Sequence, residues 1–562
     1  MAPMKTTLET LHSHLRQPHV REDVLAAFVV SVLLIPQSLA YAMLAGLPPQ
    51  IGLYASLLPL LAYAALGSSP VLAVGPVAVL ALMIAQALGA MPAGVSPAEG
   101  ALVLAAEMGL ILLLAAALRL DALASLLSVP VLYGFETGAT LSIAISQLPV
   151  LIGSPAKGVD LPSLAQEFWA HGLVWQDLTL AYGLGACALL LAGRRWLPPT
   201  LARLAPLGLL LAAMGLAWQT DALSHGVAVL GTLPPLDLRP SLPRLDAALW
   251  LGLLPHALLL SLMAYVSSLV VAESLARRRG ERVNPAAELR GLGAANLIAA
   301  FSGGMPVGGS FSRSVLLQDA GSRSRLSGAF VAVFMGLAML LLAAPLAWLP
   351  KAVLSATILV AVLSGLKFQP FVDAWRYARP EALLMLLVCL TVLGVNLAVG
   401  LGLGVVGSIA LLLQRSARPH VAQIGRVPGT EHYRNVDRHA VECLPDVMGL
   451  RIDESLVFTN ARGLSDVVQG YLQTQPLVRR VVLLMSPVNS IDFSGLEALR
   501  ELHASLKSQG RRLDLSEVKG PVLDRLRASD WQRWFEGQVF LSHHQGMVEG
   551  ERPLRNDPSP VI

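Results

Sequence analysis

Long apolar runs dominate the chain up to about residue 414, and polar residues only punctuate them. The runs lie at about 24–46, 50–67, 71–90, 101–118, 123–150, 178–193, 201–218, 247–276, 286–301, 311–320, 326–349, 350–366, 381–398 and 399–414. From Val24 to Ala98 there is no Asp, Glu, Lys or Arg. A soluble fold turns most of its outer residues to water and cannot leave so long a stretch uncharged. A bilayer crossing takes about 20 apolar residues. The pattern therefore predicts an α-helical polytopic membrane protein with about fourteen transmembrane segments, several of them short or broken. From about Arg434 the pattern changes. Val447–Ile452, Val481–Met485 and Arg512–Leu515 read as strands, and Leu464–Leu472, Gly495–Lys507 and Pro521–Ala528 as helices. The expected layout is a polar arm at 1–23, a membrane domain at 24–416, a small α/β domain at 434–550 and a loose tail at 551–562.

Composition agrees with this layout. The chain of 562 residues is 54% hydrophobic and 14% charged, with mean hydropathy +0.62, where a soluble domain carries about a quarter charged residues. The net charge is +4, but its basic residues form short clusters between apolar runs. Stacking aromatics do not accompany them, which argues against a nucleic-acid partner. With the N-terminus in the cytoplasm, the loops after even-numbered segments should hold the Arg and Lys excess. Those loops hold Arg119, then Arg194, Arg195 and Arg203, then Arg277–Arg279, Arg282 and Arg290, then Arg323 and Arg325, Arg376 and Arg379, and Arg415 and Arg418. The loops near 151–177 and 221–246 are longer and of mixed charge. The expectation is a multi-pass protein of the cell membrane with both termini cytoplasmic. Cys187, Cys389 and Cys443 have no metal-ligand spacing. No nucleophile–base pair is visible, so neither an enzyme nor a cofactor is expected.

Two broken segments carry the chemistry. Segment three begins Ser69-Pro70-Val71-Leu72-Ala73-Val74-Gly75-Pro76-Val77-Ala78, and segment ten begins Gly303-Gly304-Met305-Pro306-Val307-Gly308-Gly309-Ser310-Phe311-Ser312-Arg313. Non-helical backbone at membrane depth has to be buried in protein or line a wet cavity. A helix starting there points free N–H groups and its positive dipole end inward. Two such half-helices in matching positions of two chain halves point to a transporter site built from inverted repeats. Ser310 is positioned to cap the second half-helix, Ser312 offers a hydroxyl, and Arg313 brings a permanent positive charge that needs a partner. An anion would supply one. The bland alternative is that Gly and Pro only kink packed helices and Arg313 reaches the cytoplasm. In segment one, Pro36 breaks the helix, and Gln37 and Tyr41 fall four apart on one face.

These residues bring a family into view. Pro36-Gln37-Ser38-Leu39-Ala40-Tyr41-Ala42, Ala45-Gly46-Leu47-Pro48-Pro49, Gly52-Leu53-Tyr54-Ala55, Val74-Gly75-Pro76, Gly134-Phe135-Glu136-Thr137-Gly138, Glu288-Leu289, Gly309-Ser310-Phe311-Ser312-Arg313-Ser314 and Ala320-Gly321 follow in order. The chain resembles the sulfate permease (SulP) family of anion transporters from Asp23 to about Leu541. The resemblance implies fourteen segments in two inverted seven-segment repeats, divided into core and gate domains, and a homodimer. It places a small anion at Gln37, Tyr41, Val77, Phe311, Ser312 and Arg313. The C-terminal α/β region resembles the family's STAS domain through Val481–Met485 and Ile491–Leu499. Ser494 matches a serine that is phosphorylated in soluble relatives; the alternative is a capping serine at a helix N-terminus.

One departure matters. Many bacterial and plant members hold an acid 21 positions before the Glu-Leu pair, and here that position is Ser267. Glu273 is the nearby carboxylate, close to the Arg277 cluster. A serine does not titrate in the physiological range, so coupling to protons or sodium through the usual acid is not expected. The function expected is a secondary transporter or exchanger of small anions, sulfate first, with an elevator-like motion. Bicarbonate, chloride or a dicarboxylate are alternatives, and a membrane-anchored anion sensor signalling through the STAS domain is the rival from another class.

Overall fold

The computed structural model describes residues 20–548 except 93, 122–126, 157, 159–160, 173, 235–238 and 418–419. The arm ahead of residue 20, Arg418, the side chain of Arg203 and the tail at 551–562 lie outside the described residues. The chain divides near residue 408 into two compact units.

Among the described residues, helices cover most of every predicted apolar run, with run two split in two and run three opening on a strand. Segment one is α1 (Val20–Leu44), which continues through Pro36. Segment two is split into α2 (Pro49–Tyr54) and α3 (Leu58–Leu66). A two-residue strand β1 (Val74–Gly75) and α4 (Ala78–Gly89) form segment three. Helices α5 (Pro97–Ala117) and α6 (Val129–Ile152) are segments four and five. After a loop helix α7 (Leu161–His171), α8 (Asp177–Trp196) and α9 (Pro199–Gln219) complete the first seven. The second half follows with α10 (Ala247–Arg279), α11 (Pro285–Phe301), strand β2 (Gly308–Gly309) with α12 (Phe311–Asp319), α13 (Leu326–Leu346) and α14 (Lys351–Ser364). A loop helix α15 (Gln369–Tyr377) precedes α16 (Arg379–Gly394) and α17 (Leu397–Ser416).

Among the described residues, seven helical stretches are long and apolar enough to cross a membrane alone. The half-helices α4 and α12 have 12 and 9 residues, about 18 and 14 Å at 1.5 Å per residue, well short of a full crossing. The ends of α10 show local logic. Asp246 accepts from the Ala248 and Leu249 amides, Arg277–Arg279 occupy the last turn, and Gly280 closes it at φ +68°.

The packing repeats every seven segments. Helix α1 packs on α13, and its counterpart α10 packs on α5; α11 packs on α5 as α13 does on α3; α6 packs on α16 as α14 does on α8. Segments two and nine meet directly, as do five and twelve. Segments one to four and eight to eleven thus pack among themselves as a core, and five to seven with twelve and thirteen as a gate. Close approach in the core depends on Gly52, where a Cβ would sit 1.9 Å from the Ser38 carbonyl oxygen. In the gate, a Cβ on Gly134 would sit 2.3 Å from the Met385 carbonyl oxygen.

The second unit holds a six-stranded sheet in the order β4-β3-β5-β6-β7-β8. Its strands are β3 (Val421–Arg426), β4 (Tyr433–Asn435), β5 (Val447–Ile452), β6 (Arg480–Leu484), β7 (Arg512–Ser516) and β8 (Val539–Phe540). The last four run parallel, while β3 is antiparallel to both neighbours. Helices α18 (Leu464–Thr474), α19 (Phe493–Ser508) and α20 (Gly520–Arg527) cover one face over Leu450, Val468, Leu483, Leu502 and Leu513. A short α21 (Trp531–Trp534) follows, and α22 (His543–Val548) lies on the other face with Val447, Val482 and Met547. The sheet begins ahead of residue 434, since β3 pairs with β5.

The C-terminal helix is held by buried polar groups. Arg480 donates to the Gly546 and Met547 carbonyls at 2.7 and 3.0 Å and faces Asp514 at 3.4 Å. His543 Nδ1 lies 2.8 Å from Ser516 Oγ. Burial, helped by neighbouring His544, pushes the His543 imidazole from 6.5 down to about 4. Between those values an unfolded chain takes up a proton that the folded one refuses. Stability is therefore undiminished above pH 6.5, falls as pH drops toward 4, and changes no further below that through this group. The loss is about 3 kcal/mol at most. Hydrogen exchange of the 543–548 amides, corrected for intrinsic rate, should speed up from pH 7 to pH 4.5, and His543→Gln should flatten that step.

Candidate functional site

The site forms where the two broken segments cross. Strands β1 and β2 pair antiparallel, Val74 with Gly309 and Gly75 with Gly308. The Ser310 amide extends the ladder by donating to the Ala73 carbonyl at 3.0 Å. Side chains satisfy further backbone groups. Ser314 Oγ accepts from the Ala73 amide at 2.9 Å, and Ser268 Oγ accepts from the Gly309 amide at 2.8 Å. Asn296 accepts from the Val307 amide at 2.8 Å and donates to its carbonyl at 3.0 Å. Irregular backbone is thus sustained at membrane depth by polar groups on otherwise apolar helices. The half-helices α4 and α12 start from this crossing, so the unsatisfied N–H groups of both first turns gather there.

Arg313 lies in the first turn of α12 and is 2% exposed. Its Nη1 donates to the Pro76 carbonyl at 2.8 Å and reaches Gln37 Oε1 at 3.5 Å. Nε and Nη2 are buried without a hydrogen-bond partner, and Arg313 forms no ion pair among the described residues. A buried cation with two free donor nitrogens is what an oxyanion with several acceptor oxygens can satisfy. Val77 follows Pro76 as the extended, half-buried residue before α4. Phe311, 50% exposed, and Ser312 are left uncovered by the rest of the chain. Gln37 and Tyr41 line one cavity of about 230 Å³. The structure thus brings Gln37, Arg313 and the Val77 turn together, with Tyr41 beside Gln37 on that cavity.

Two expectations are corrected. Ser310 occupies the cap position of α12, but its hydroxyl makes no capping bond and lies 3.4 Å from Ser312 Oγ. The reason is that its own amide is already committed to β1, which fixes the residue in the ladder. Ser494 does not cap α19 either; Asp492 does, accepting from the Gly495 amide at 2.8 Å. Ser314, the residue after Arg313, is fully buried and faces the strand crossing.

The coupling candidates are occupied elsewhere. Ser267 Oγ donates to the Met263 carbonyl at 2.7 Å within its own helix. Glu273 pairs with Arg277 at 3.2 Å one turn on. Glu288 is fully buried and accepts four hydrogen bonds: from Tyr63 Oη (2.8 Å), the Ser68 amide (3.0 Å), Ser68 Oγ (2.6 Å) and the Ser69 amide (3.0 Å). It ties the approach to segment three onto segment nine. Sequence reasoning missed Ser268, Asn296 and this role of Glu288; the available signal was one polar residue on an apolar helix face.

Comparison with known proteins gives the family and the fold. The family model described as the sulfate permease family matches residues 20–388, and that of the STAS domain matches 438–546. A "probable sulfate transporter" of Mycobacterium tuberculosis is 34% identical over 536 residues, covering 93% of this chain and 94% of that protein. The chloroplastic sulfate transporter 4.1 of Arabidopsis thaliana is 29% identical over 523 residues, covering 89% and 75%. Among solved structures, the murine solute carrier 26 family member A9 anion transporter in the inward-facing state superposes with a TM-score of 0.86 at 22% identity, over 97% of this chain and 93% of that one. The transmembrane domain of the cyanobacterial bicarbonate transporter BicA gives 0.59 at 19% identity, over 70% and 98%. With the membrane unit, the crossed half-helices and the C-terminal domain all accounted for, the chain belongs to the sulfate permease family: it is a multi-pass membrane anion transporter with a STAS domain, and not an enzyme.

Proposed function

We propose that the chain carries sulfate across the cell membrane as a secondary transporter or exchanger, binding it between α4 and α12. The observation that carries this reading is Arg313, buried between the half-helices with two donor nitrogens unsatisfied. The named sulfate transporters among its relatives support sulfate over bicarbonate, chloride or a dicarboxylate. Gln37, Tyr41, Val77, Phe311 and Ser312 complete the proposed anion site. Both termini are proposed to be cytoplasmic, in line with the Arg clusters, and a homodimer is the proposed assembly. The proposed motion is elevator-like, with the core carrying the anion past the gate. Internal packing of each group, with cavities between them, supports it. The inward-facing murine neighbour suits the cavity at Gln37 and Tyr41, which leads toward Arg194. With Asp492 capping α19 in its place, Ser494→Ala is proposed to leave the fold of the domain unchanged.

Labelled sulfate uptake into proteoliposomes, with competition by unlabelled chloride, bicarbonate and dicarboxylates, tests the substrate. Sulfate should compete best, and stronger competition by another anion would reassign it. Coupling is expected to be weak, since Ser267 cannot titrate and Glu273 is engaged by Arg277. Imposed proton or sodium gradients at clamped potential should change the rate little, while internal unlabelled anion should accelerate it. Strong acceleration by a proton gradient would overturn this. Its loss in Glu273→Gln would place the coupling there, and its loss in Glu107→Gln would place it on the α5 carboxylate, which is buried with neither oxygen hydrogen-bonded.

A further inference from the structure

Two cavities lie between the core and the gate, and each is lined by a gate cation that has no counter-charge among the described residues. The cavity of about 230 Å³ is lined by Gln37 and Tyr41 of α1, Thr357 of α14 and Arg194 near the end of α8. The other, of about 450 Å³, is lined by Met43 and Leu44 at the end of α1, Leu88 at the end of α4, Gln147 of α6 and Lys351 at the start of α14. Neither Arg194 nor Lys351 forms an ion pair or side-chain hydrogen bond among the described residues. Ala40 of the core and Ile358 of the gate line both cavities, so the wall between them is built from one residue of each group. Along α14, Lys351 and Thr357 are six residues apart, about 9 Å at 1.5 Å per residue. The two cations therefore sit on opposite sides of that wall, on the domain that frames the path and not on the one that holds Arg313.

We propose that Arg194 and Lys351 are sided recruiting cations: each draws the anion into its own cavity, one from each face of the membrane, ahead of its capture at Arg313. The proposal rests on the anion-transport reading. Unpaired positive charge in a narrow, low-dielectric cleft raises the local concentration of an anion and speeds its entry. For a divalent anion about 8 Å from one such charge in a wet cleft, Coulomb's law gives about a sixfold enrichment. Added salt screens it, because the Debye length falls to about 3 Å at 1 M. Binding to Arg313 itself, buried and short-ranged, is screened far less. Each cation thus acts on entry from one side, and a variant that merely perturbed packing would act on both sides and without salt dependence.

The test is the KM for labelled sulfate measured from each face, in right-side-out and inside-out vesicles at low ionic strength, for wild type, Lys351→Gln, Arg194→Gln, Lys351→Arg and Arg194→Lys. The ratio of the two KM values should shift about 3- to 10-fold in opposite directions in Lys351→Gln and Arg194→Gln. The charge-conserving variants should restore the wild-type ratio, and salt should erase the difference. A KM ratio unchanged in both neutral variants, or shifted the same way in both, overturns the proposal while wild-type flux continues. Absence of saturable flux in well-folded wild type would instead overturn the transport reading, and the recruiting role with it.

Discussion

Arg313→Ala is expected to abolish saturable anion uptake while the protein still inserts and purifies as a monodisperse species. The guanidinium is enclosed, its contacts are one backbone carbonyl at 2.8 Å and a long approach to Gln37, and two of its nitrogens have no partner. Its removal takes little from the fold, because it contributes few internal bonds. The anion loses its charge-assisted hydrogen bonds, which are worth about 2–5 kcal/mol when one partner of a buried charge pair is removed. That corresponds to a drop of about 30- to 5,000-fold in kcat/KM. Arg313→Glu should be at least as severe, since it places a negative charge where the anion binds. Arg313→Lys should fall between, keeping charge but losing the planar fork that reaches Pro76 and a ligand together. Uptake normalised to the amount of folded protein checks this, and normal uptake by folded Arg313→Glu would remove the proposed site.

Glu288→Ala should fail in the opposite way, through the fold. Four donors converge on this carboxylate, and all four would be left without their acceptor. Each buried donor left unsatisfied costs about 1–3 kcal/mol. A total of several kcal/mol is comparable with the whole stability of many domains. The variant should therefore be recovered at low yield with a lowered unfolding temperature. Glu288→Gln keeps one oxygen for the Ser68 and Ser69 donors and should be milder. If Glu288→Ala were as stable as wild type and lost only transport, the residue would belong to the anion path and not to the scaffold.

These two residues mark what was legible in the sequence. The fourteen apolar runs could be read directly, because long uncharged stretches of this kind survive only where a bilayer or a protein interior surrounds them, and among the described residues helices cover most of each run. The crossing of segments three and ten could be anticipated, since Gly and Pro at membrane depth force the backbone out of helix. Arg313 stood out as a cation where apolar residues are the rule. The loop helices α7 and α15 were not anticipated, because they are short and amphipathic and belong to no apolar run. The supports at Ser268, Asn296 and Ser314 were hidden for a different reason. A serine or asparagine on an apolar helix is compatible with an ordinary back-bond to its own turn, as Ser267 makes one position before Ser268. Only the fold tells the two neighbours apart. The role of Glu288 was hidden likewise: its donors Tyr63, Ser68 and Ser69 lie some 220 residues away in the chain. In the C-terminal domain, short apolar runs set between helical stretches made β5, β6 and β7 readable. Strand β3, which pairs with both β4 and β5, escaped because it lies ahead of the point where charged residues signalled a new domain.

The most direct test of the central claim is counterflow. Purified wild-type protein is reconstituted into liposomes loaded with unlabelled sulfate, and a trace of labelled sulfate is added outside with no ion gradient imposed. The account predicts transient accumulation of label above equilibrium, saturable in sulfate and absent in Arg313→Ala. Monodisperse, correctly inserted wild-type protein that shows no such accumulation with sulfate, bicarbonate, chloride or a dicarboxylate on both sides would contradict it.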